Sequence, residues 1–225
     1  MEFQNPKYKK QYLHADVVIF TVENKQVKIL LIQRGRAPYI GRWTLPGGAI
    51  YNNESAEAAA KRELKYKTGL KNIYLEQFHT FSNPKRDFRA RLVAVAYLAL
   101  VDKNKVSLLE KTPKTLGAKW FEINKLPPLA WDHQEMIEMA IAKLRRRLMD
   151  SNIICELLPR QFTLPELHSA YEIILGKKLD RRNFRRKFLN LGLMEVTGKK
   201  ERGSRYRPAI YYHFKSEKPQ EIGIF

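Results

Sequence analysis

Between residues 12 and 125 the chain sets short apolar runs between polar turns. YLHADVVIFTV, VKILLIQRG, RWTLPGG, IYLEQFHTF, RLVAVAYLALV and AKWFEI are rich in Val, Ile, Leu, Tyr and Phe, and turn signals such as ENKQ, SNPKRD and DKNK separate them, which predicts strands. One segment breaks the pattern. After two glycines and the turn-forming run Asn52-Asn53-Glu54-Ser55, the stretch SAEAAAKRELKYKTGL carries strong helix formers and stops at Gly69, a C-cap, predicting one helix of three to four turns. Strands with few helices among them predict a mixed sheet with helices on its faces.

The period then changes. In AWDHQEMIEMAIAKLRRRLMD the apolar positions Met136, Ile137, Ala140, Ile141, Leu144 and Leu148 follow a helical repeat that turns basic at Arg145, Arg146 and Arg147. This helix is expected to close a first domain, residues 1–150, and to lead into a second, residues 151–225. There FTLPELHSAYEIILG places Thr163 as N-cap with Glu166 three residues on, a capping box, with Pro165 in the first turn and Gly176 as C-cap. A three-residue turn, KKL, separates it from DRRNFRRKFLNLG, capped by Asp180 and ended by Gly192. Two short helices so joined are the layout of a helix-turn-helix. The runs LMEVTGKK and AIYYHF, joined by the basic tip ERGSRYRP, add a two-stranded wing.

On the second of these helices Phe184, Phe188 and Leu191 fall on one side, and Arg182 and Arg186 on the other, flanked by Arg185, Asn183 and Asn190. Arg suits guanine or phosphate and Asn suits adenine, so this face has the donors to enter a major groove. Arg181, Lys187, Lys199, Lys200, Arg202, Arg205 and Arg207 are expected to meet phosphates.

Charge strengthens that reading. The chain holds 42 Lys and Arg against 23 Asp and Glu, a formal +19. Residues 1–150 carry +12 of it and residues 151–225 carry +7, so both halves are suited to polyanions. No apolar run approaches a membrane span, and the start MEFQNPKYKKQYLHADVVIF lacks a signal-peptide layout, so no membrane is expected. The lone Cys155, in the apolar run IICELL, reads as core and suits a reducing cytoplasm.

The opening helix carries the remaining chemistry. Gly48, five residues, Glu54, seven residues, then Arg62-Glu63-Leu64-x-Tyr66-Lys67-x-Gly69-Leu70 resembles the Nudix box, G-x5-E-x7-R-E-U-x-E-E-x-G-U with U aliphatic. In that family the Glu after the Arg and the E-E pair hold divalent metals on a diphosphate. Here the pair is Tyr66 and Lys67. Glu63 followed four residues later by Lys67 is the favourable order for a helical ion pair, so a salt bridge is expected where the family holds metal, with no metal, no cofactor and no catalytic residue.

A degenerate box followed by FTLPELHSAYEIILGKKLDRRNFRRKFLNLGLMEVTG is similar to the Nudix-related transcriptional regulators of the NrtR family. RWTLPGGAI, TFSNPKRDFRARLVAVAYLALV and LAWDHQEMIEMAIAKLR look like the corresponding segments of that family and of its ADP-ribose pyrophosphatase relatives. The resemblance implies a Nudix α-β-α sandwich with a mixed sheet and a small winged helix-turn-helix. It also implies a homodimeric repressor, often of NAD biosynthesis genes, that leaves a near-palindromic double-stranded operator when ADP-ribose binds as effector. Arg86, Arg89 and Arg91 would then hold a diphosphate or pair with carboxylates, and Asp87 would accept ribose hydroxyls or fix those arginines. Glu76 and Gln77 match the family's motif, while His79 and His133 are read as structural or ligand-contact groups. Two alternatives stay open. Glu54, Glu57 and Glu63 remain for an active hydrolase with a DNA-binding tail, and an Arg-rich loop serves a pentose-responsive regulator equally well.

Overall fold

The computed structural model describes residues 11–109, 111–200, 208–216 and 218–224. A seven-stranded mixed sheet forms the first half: β1 (Tyr12–Glu23), β2 (Gln26–Arg34), β3 (Trp43–Thr44), β4 (Gly47–Ala49), β5 (Tyr74–Phe81), β6 (Leu92–Leu100) and β7 (Thr115–Glu122). Its main order is β3-β2-β1-β6-β5, with β4 added on β1 and β7 on β2. Among the described strand pairs only β1 and β6 run parallel, from Tyr12 opposite Leu92 to Phe20 opposite Leu100. The ENKQ signal becomes a tight hairpin between β1 and β2, with Asn24 and Lys25 at φ 51° and 58°, the left-handed backbone such a turn requires. RWTLPGG yields two short strands instead of one, broken at Leu45 and Pro46, and β4 then crosses to pair with β1.

Both faces of the sheet are covered, which explains why β1 reads as an almost unbroken apolar run. Ala15, Val17 and Ile19 pack towards α1 (Ala56–Thr68), against Ala59, Ala60 and Leu64. Val18 and Phe20 face the other way, towards Met136, Ile137, Ala140, Leu144 and Leu148 of α2 (His133–Asp150). The caps of α1 are local: Ala58 N–H donates to the Ser55 hydroxyl, and Gly69 at φ 81° ends the helix.

After a 3-10 turn at Ile153–Glu156 come β8 (Phe162–Thr163), α3 (Leu164–Leu175), α4 (Arg181–Asn190), β9 (Met194–Lys200) and β10 (Ile210–Phe214). The two-residue β8 turns the expected pair of strands into a three-stranded sheet of order β8-β10-β9. The capping box of α3 forms in both directions. Thr163 N–H donates to the Glu166 carboxylate at 2.7 Å and Glu166 N–H to the Thr163 hydroxyl at 3.3 Å. The turn into α4 is held by Leu179 N–H on the Glu172 carboxylate and by a His168 Nε2 to Leu179 carbonyl contact, each 2.9 Å.

Tyr171, Phe184 and Phe188 interlock beneath α4, with ring centroids 4.4 to 5.4 Å apart. They belong to one apolar core that continues through α2 into the first sheet. Polar contacts reinforce the junction: Arg145 of α2 donates to the Ile174 carbonyl of α3 at 2.9 Å. The end of the chain returns to α2, where Ile222 and Ile224 N–H groups donate to the carbonyls of Asp150 and Met149, and the Ile224 side chain is fully buried. Among the described residues no helix is long and apolar enough to cross a membrane.

Candidate ligand cleft and nucleic-acid interface

A cavity of about 220 Å³ opens where β1, β2 and β4 meet the start of α2. The sequence arranges this through strand register, which sets Asp16 opposite Gly47 and His14 opposite Ala49. A side chain on Gly47 or on Gly48 would force its surroundings to shift. A Cβ on Gly47 would stand 2.6 Å from the Ala15 carbonyl oxygen, and one on Gly48 would stand 2.5 Å from the carboxyl carbon of Glu63. The glycine pair thus lets α1 press its carboxylate against the floor of the cleft.

Six cations line the cavity, Arg34, Arg36, Lys67, Arg86, Arg89 and Lys114, against two carboxylates, Asp16 and Asp87. The carboxylates are already engaged. Asp87 takes both the backbone N–H and Nε of Arg89, at 3.0 and 2.9 Å, and these bonds hold its carboxyl below the usual carboxylate range. Arg86 forms a two-pronged pair with Asp132 at the N-terminus of α2, both distances 2.8 Å, and the Nη2 of that pair also lies 3.9 Å from Asp16. Such a surplus of forked donors favours a doubly charged oxyanion. The two histidines are kept neutral. Burial lowers His133 and His14, and Leu45 N–H donates to His133 Nδ1 at 2.9 Å, leaving the proton on Nε2.

The mouth is aromatic. The Trp131 ring carries the guanidinium of Arg34 at 4.6 Å and that of Arg89 at 5.2 Å, and Tyr39 meets it edge-on at 5.2 Å. Trp131 and Tyr39 both hold left-handed backbone, φ 53° and 65°, a conformation that costs a bulky residue about 1 kcal/mol or more. Phe88, 72% exposed, stands edge-on to Tyr39. Flat rings beside convergent guanidinium groups suit a ligand with both a planar and an anionic part.

In the box itself, Arg62 grips Glu54 with two bonds of 2.9 and 2.6 Å, reaches Glu63, donates to the Ala49 carbonyl and lies 4.0 Å over the Tyr51 ring. Hydrogen bonds from Arg62 keep Glu54 below its ordinary range. The expected helical ion pair forms, with Lys67 Nζ 3.0 Å from Glu63 and also donating to the Gly47 carbonyl. Tyr66 is turned outward, 40% exposed, beneath the Lys114 ammonium at 5.4 Å.

The structure sorts the expected effector residues. Arg86, Asp87 and Arg89 come together in the cleft, with the arginines paired to carboxylates and Asp87 fixing Arg89. Arg91 does not line it and donates to the Ser82 carbonyl instead. Glu76 and Gln77 also lie elsewhere. Glu76 faces α2, 3.0 Å from both Lys143 and Arg147; burial alone would raise its pKa, and hydrogen bonds from Tyr74 and Lys143 outweigh it. His79 is an exposed position on β5, edge-on to Phe81. Nothing local in the sequence marks His14, Asp16, Arg34, Arg36, Lys114, Trp131 and Asp132, because strand pairing and the approach of α2 assemble them from distant segments.

On the second domain α4 buries Phe184 and Phe188 and leaves Arg181, Arg182, Asn183, Arg185, Arg186 and Asn190 exposed, with Lys187 and Leu191 half-buried. Arg186 donates to the Asn183 side-chain oxygen at 2.9 Å, one helical turn back. Asn183, Arg186, Lys187 and Asn190 line one shallow hollow. The side chains of Lys199 and Lys200, and the whole of Arg202, Arg205 and Arg207, lie outside the described residues.

Two family models match the chain: the NUDIX domain over residues 12–140 and the NrtR DNA-binding winged helix domain over residues 154–214. A protein of Acinetobacter baylyi described as an ADPR responsive transcriptional repressor is 34% identical over 95% of this chain and 86% of its own length. The crystal structure of Shewanella oneidensis NrtR complexed with a 27mer DNA is similar at TM-score 0.78 and 36% identity, covering 90% of this chain and 93% of that one. The NUDIX domain of the same Shewanella protein complexed with ADP ribose is similar at TM-score 0.57 and 37% identity, covering 62% and 93%.

Proposed function

Because this chain belongs to the NrtR family of Nudix-related transcriptional regulators, we propose that it is a cytoplasmic, homodimeric repressor whose Nudix domain binds ADP-ribose without hydrolysing it and thereby releases a near-palindromic operator of NAD metabolism genes. The observation that carries the reading is the cleft: six cations beside the Trp131 ring complement a diphosphate joined to an adenosine. The relatives' ADP-ribose response and DNA complex support the same assignment.

The DNA side rests on α4, whose exposed Arg182, Asn183, Arg186 and Asn190 offer base-reading donors while Arg181, Arg185 and Lys187 meet phosphates. A dimer would set two such helices on two half-sites. The fold also offers a route between the sites. Arg86 in the cleft holds Asp132 at one end of α2, and Arg145 near the other end holds the last turn of α3. A ligand that draws Arg86 from Asp132 therefore acts on the helix that supports the DNA-binding unit.

The test is a titration of a labelled duplex from the gene's own upstream region at fixed salt, since a chain this basic binds any DNA at low salt. ADP-ribose is expected to release the specific complex and L-arabinose to leave it intact. Release by arabinose alone would replace this reading with a pentose sensor.

A further inference from the structure

The Nudix family implies divalent metal on this helix, and the residues present do not fit such an ion. The carboxylates at the site face cations: Glu63 lies between Arg62 and Lys67, Glu54 is on Arg62, Glu57 on Lys61, Asp87 on Arg89 and Asp132 on Arg86, and Asp16 lies 3.9 Å from that same Arg86 guanidinium. Among the described residues no three His, Cys, Asp or Glu side chains converge as a ligand set. Mg²⁺ is usually held by one or two carboxylates together with substrate phosphates, and here the carboxylates that could serve are already paired with cations. Where they would be wanted, Lys67 lines the cavity, its ammonium on the Gly47 carbonyl.

Lys67 is no ordinary surface lysine. Its side chain is 14% exposed, its Nζ is 3.0 Å from Glu63 Oε2, and it donates to the Gly47 carbonyl. An ammonium has three donors: the Gly47 carbonyl takes one and Glu63 balances the charge as an ion-pair partner, so donors remain for an oxygen in the cleft. Because both internal partners pin the side chain, little rotamer freedom is left to lose when a ligand arrives. Arg34, Arg86, Arg89 and Lys114 share the same cavity, so a doubly charged ligand meets a fixed excess of positive charge with no added ion.

We infer that Lys67 is a built-in counter-ion that binds the diphosphate of the effector directly, so that a nucleoside diphosphate sugar is held without any divalent metal. This rests on the ADP-ribose reading above, and the experiment separates the two. Calorimetric titration of the full-length protein with ADP-ribose, once in EDTA and once in millimolar Mg²⁺, is expected to give the same affinity within about twofold. Lys67→Met, checked by circular dichroism for an intact fold, is expected to weaken binding about ten- to a hundredfold, the loss of one charge-assisted hydrogen bond. Binding by the natural protein only in Mg²⁺ would overturn the inference and leave the effector assignment standing, and that comparison needs no variant to fold. Unchanged affinity in Lys67→Met would overturn it as well. No binding in either buffer would remove the effector assignment itself.

Discussion

Gly48→Ala puts the architecture of the cleft under the most direct strain. The added methyl would sit 2.5 Å from the carboxyl carbon of Glu63 and 2.7 and 2.8 Å from its two oxygens, where ordinary contact begins near 3.4 Å. Something must move by close to an ångström. Glu63 is only 4% exposed and is held by Arg62 and Lys67, so it cannot swing away without unpairing both. Shifting β4 instead would disturb its ladder to β1 at Asp16 and His14. Overpacking of this kind costs about 1 to 3 kcal/mol, and partial loss of a buried ion pair adds to it, so about 3 kcal/mol is expected. At about 2 to 4 °C per kcal/mol for a chain of this size, the thermal midpoint should fall by roughly 6 to 12 °C. The control is Gly192→Ala, where φ is +64° and nothing lies within 4 Å. Its cost is backbone strain alone, about 1 kcal/mol. Scanning calorimetry with and without ADP-ribose reads both variants: Gly48→Ala should melt well below Gly192→Ala and lose most of the ligand-induced shift. A Gly48→Ala protein no less stable than Gly192→Ala would refute the reasoning.

Three further outcomes follow from other parts of the molecule. His133 is buried neutral among Asp16, Asp132, Arg86 and Arg34, with its folded pKa below the 6.5 of the unfolded chain, so its contribution is complete above pH 6.5 and is lost as pH falls from there towards the folded value. The thermal midpoint should therefore drop between pH 7.5 and 5.5, and less so in His133→Asn, which keeps an acceptor for Leu45 N–H; an equal drop in both would reject this assignment. Phe184→Ala removes a ring packed on Phe188, Tyr171 and His168 and should cost about 3 to 5 kcal/mol by chemical denaturation, abolishing operator binding at elevated temperature first. In anisotropy titrations on the operator, Arg186→Ala should cost about 1 to 3 kcal/mol and relax sequence preference, whereas Arg181→Ala should weaken all sequences alike and flatten the salt dependence by about one.

What was legible in the sequence was local. Ser55 and Gly69 bracket α1, Thr163 and Glu166 start α3, and Asp180 starts α4, because each cap is made within one turn of its own helix. The same holds for the Glu63 and Lys67 pair, four residues apart on one face. The cleft was legible only in part because it is assembled from afar. Arg34 ends a strand like many others, and its role appears only when Trp131, nearly a hundred residues on, lies beneath it. Asp132 reads as the ordinary start of a helix until Arg86 arrives from the β5–β6 loop. Neighbours in sequence also part company: Arg89 faces the cavity, whereas Arg91, two residues on at the foot of β6, is drawn to the Ser82 carbonyl. Glu76 matches a family motif but is claimed by α2 through Lys143 and Arg147, contacts that no spacing within β5 reveals. The two-residue β8 is too short to carry any periodic signal and exists through its pairing with Tyr211 and Tyr212.

The central claim is that one ligand empties the operator and survives the event. Anisotropy of the labelled operator complex and chromatography of the nucleotide, taken from a single cuvette containing full-length protein, ADP-ribose and Mg²⁺, measure both halves together. The account predicts prompt release of the duplex, with ADP-ribose recovered intact after hours of incubation. Release that fades as AMP and ribose phosphate accumulate would contradict it and make the cleft an active hydrolase, and no release at all would sever the cleft from the DNA-binding helix.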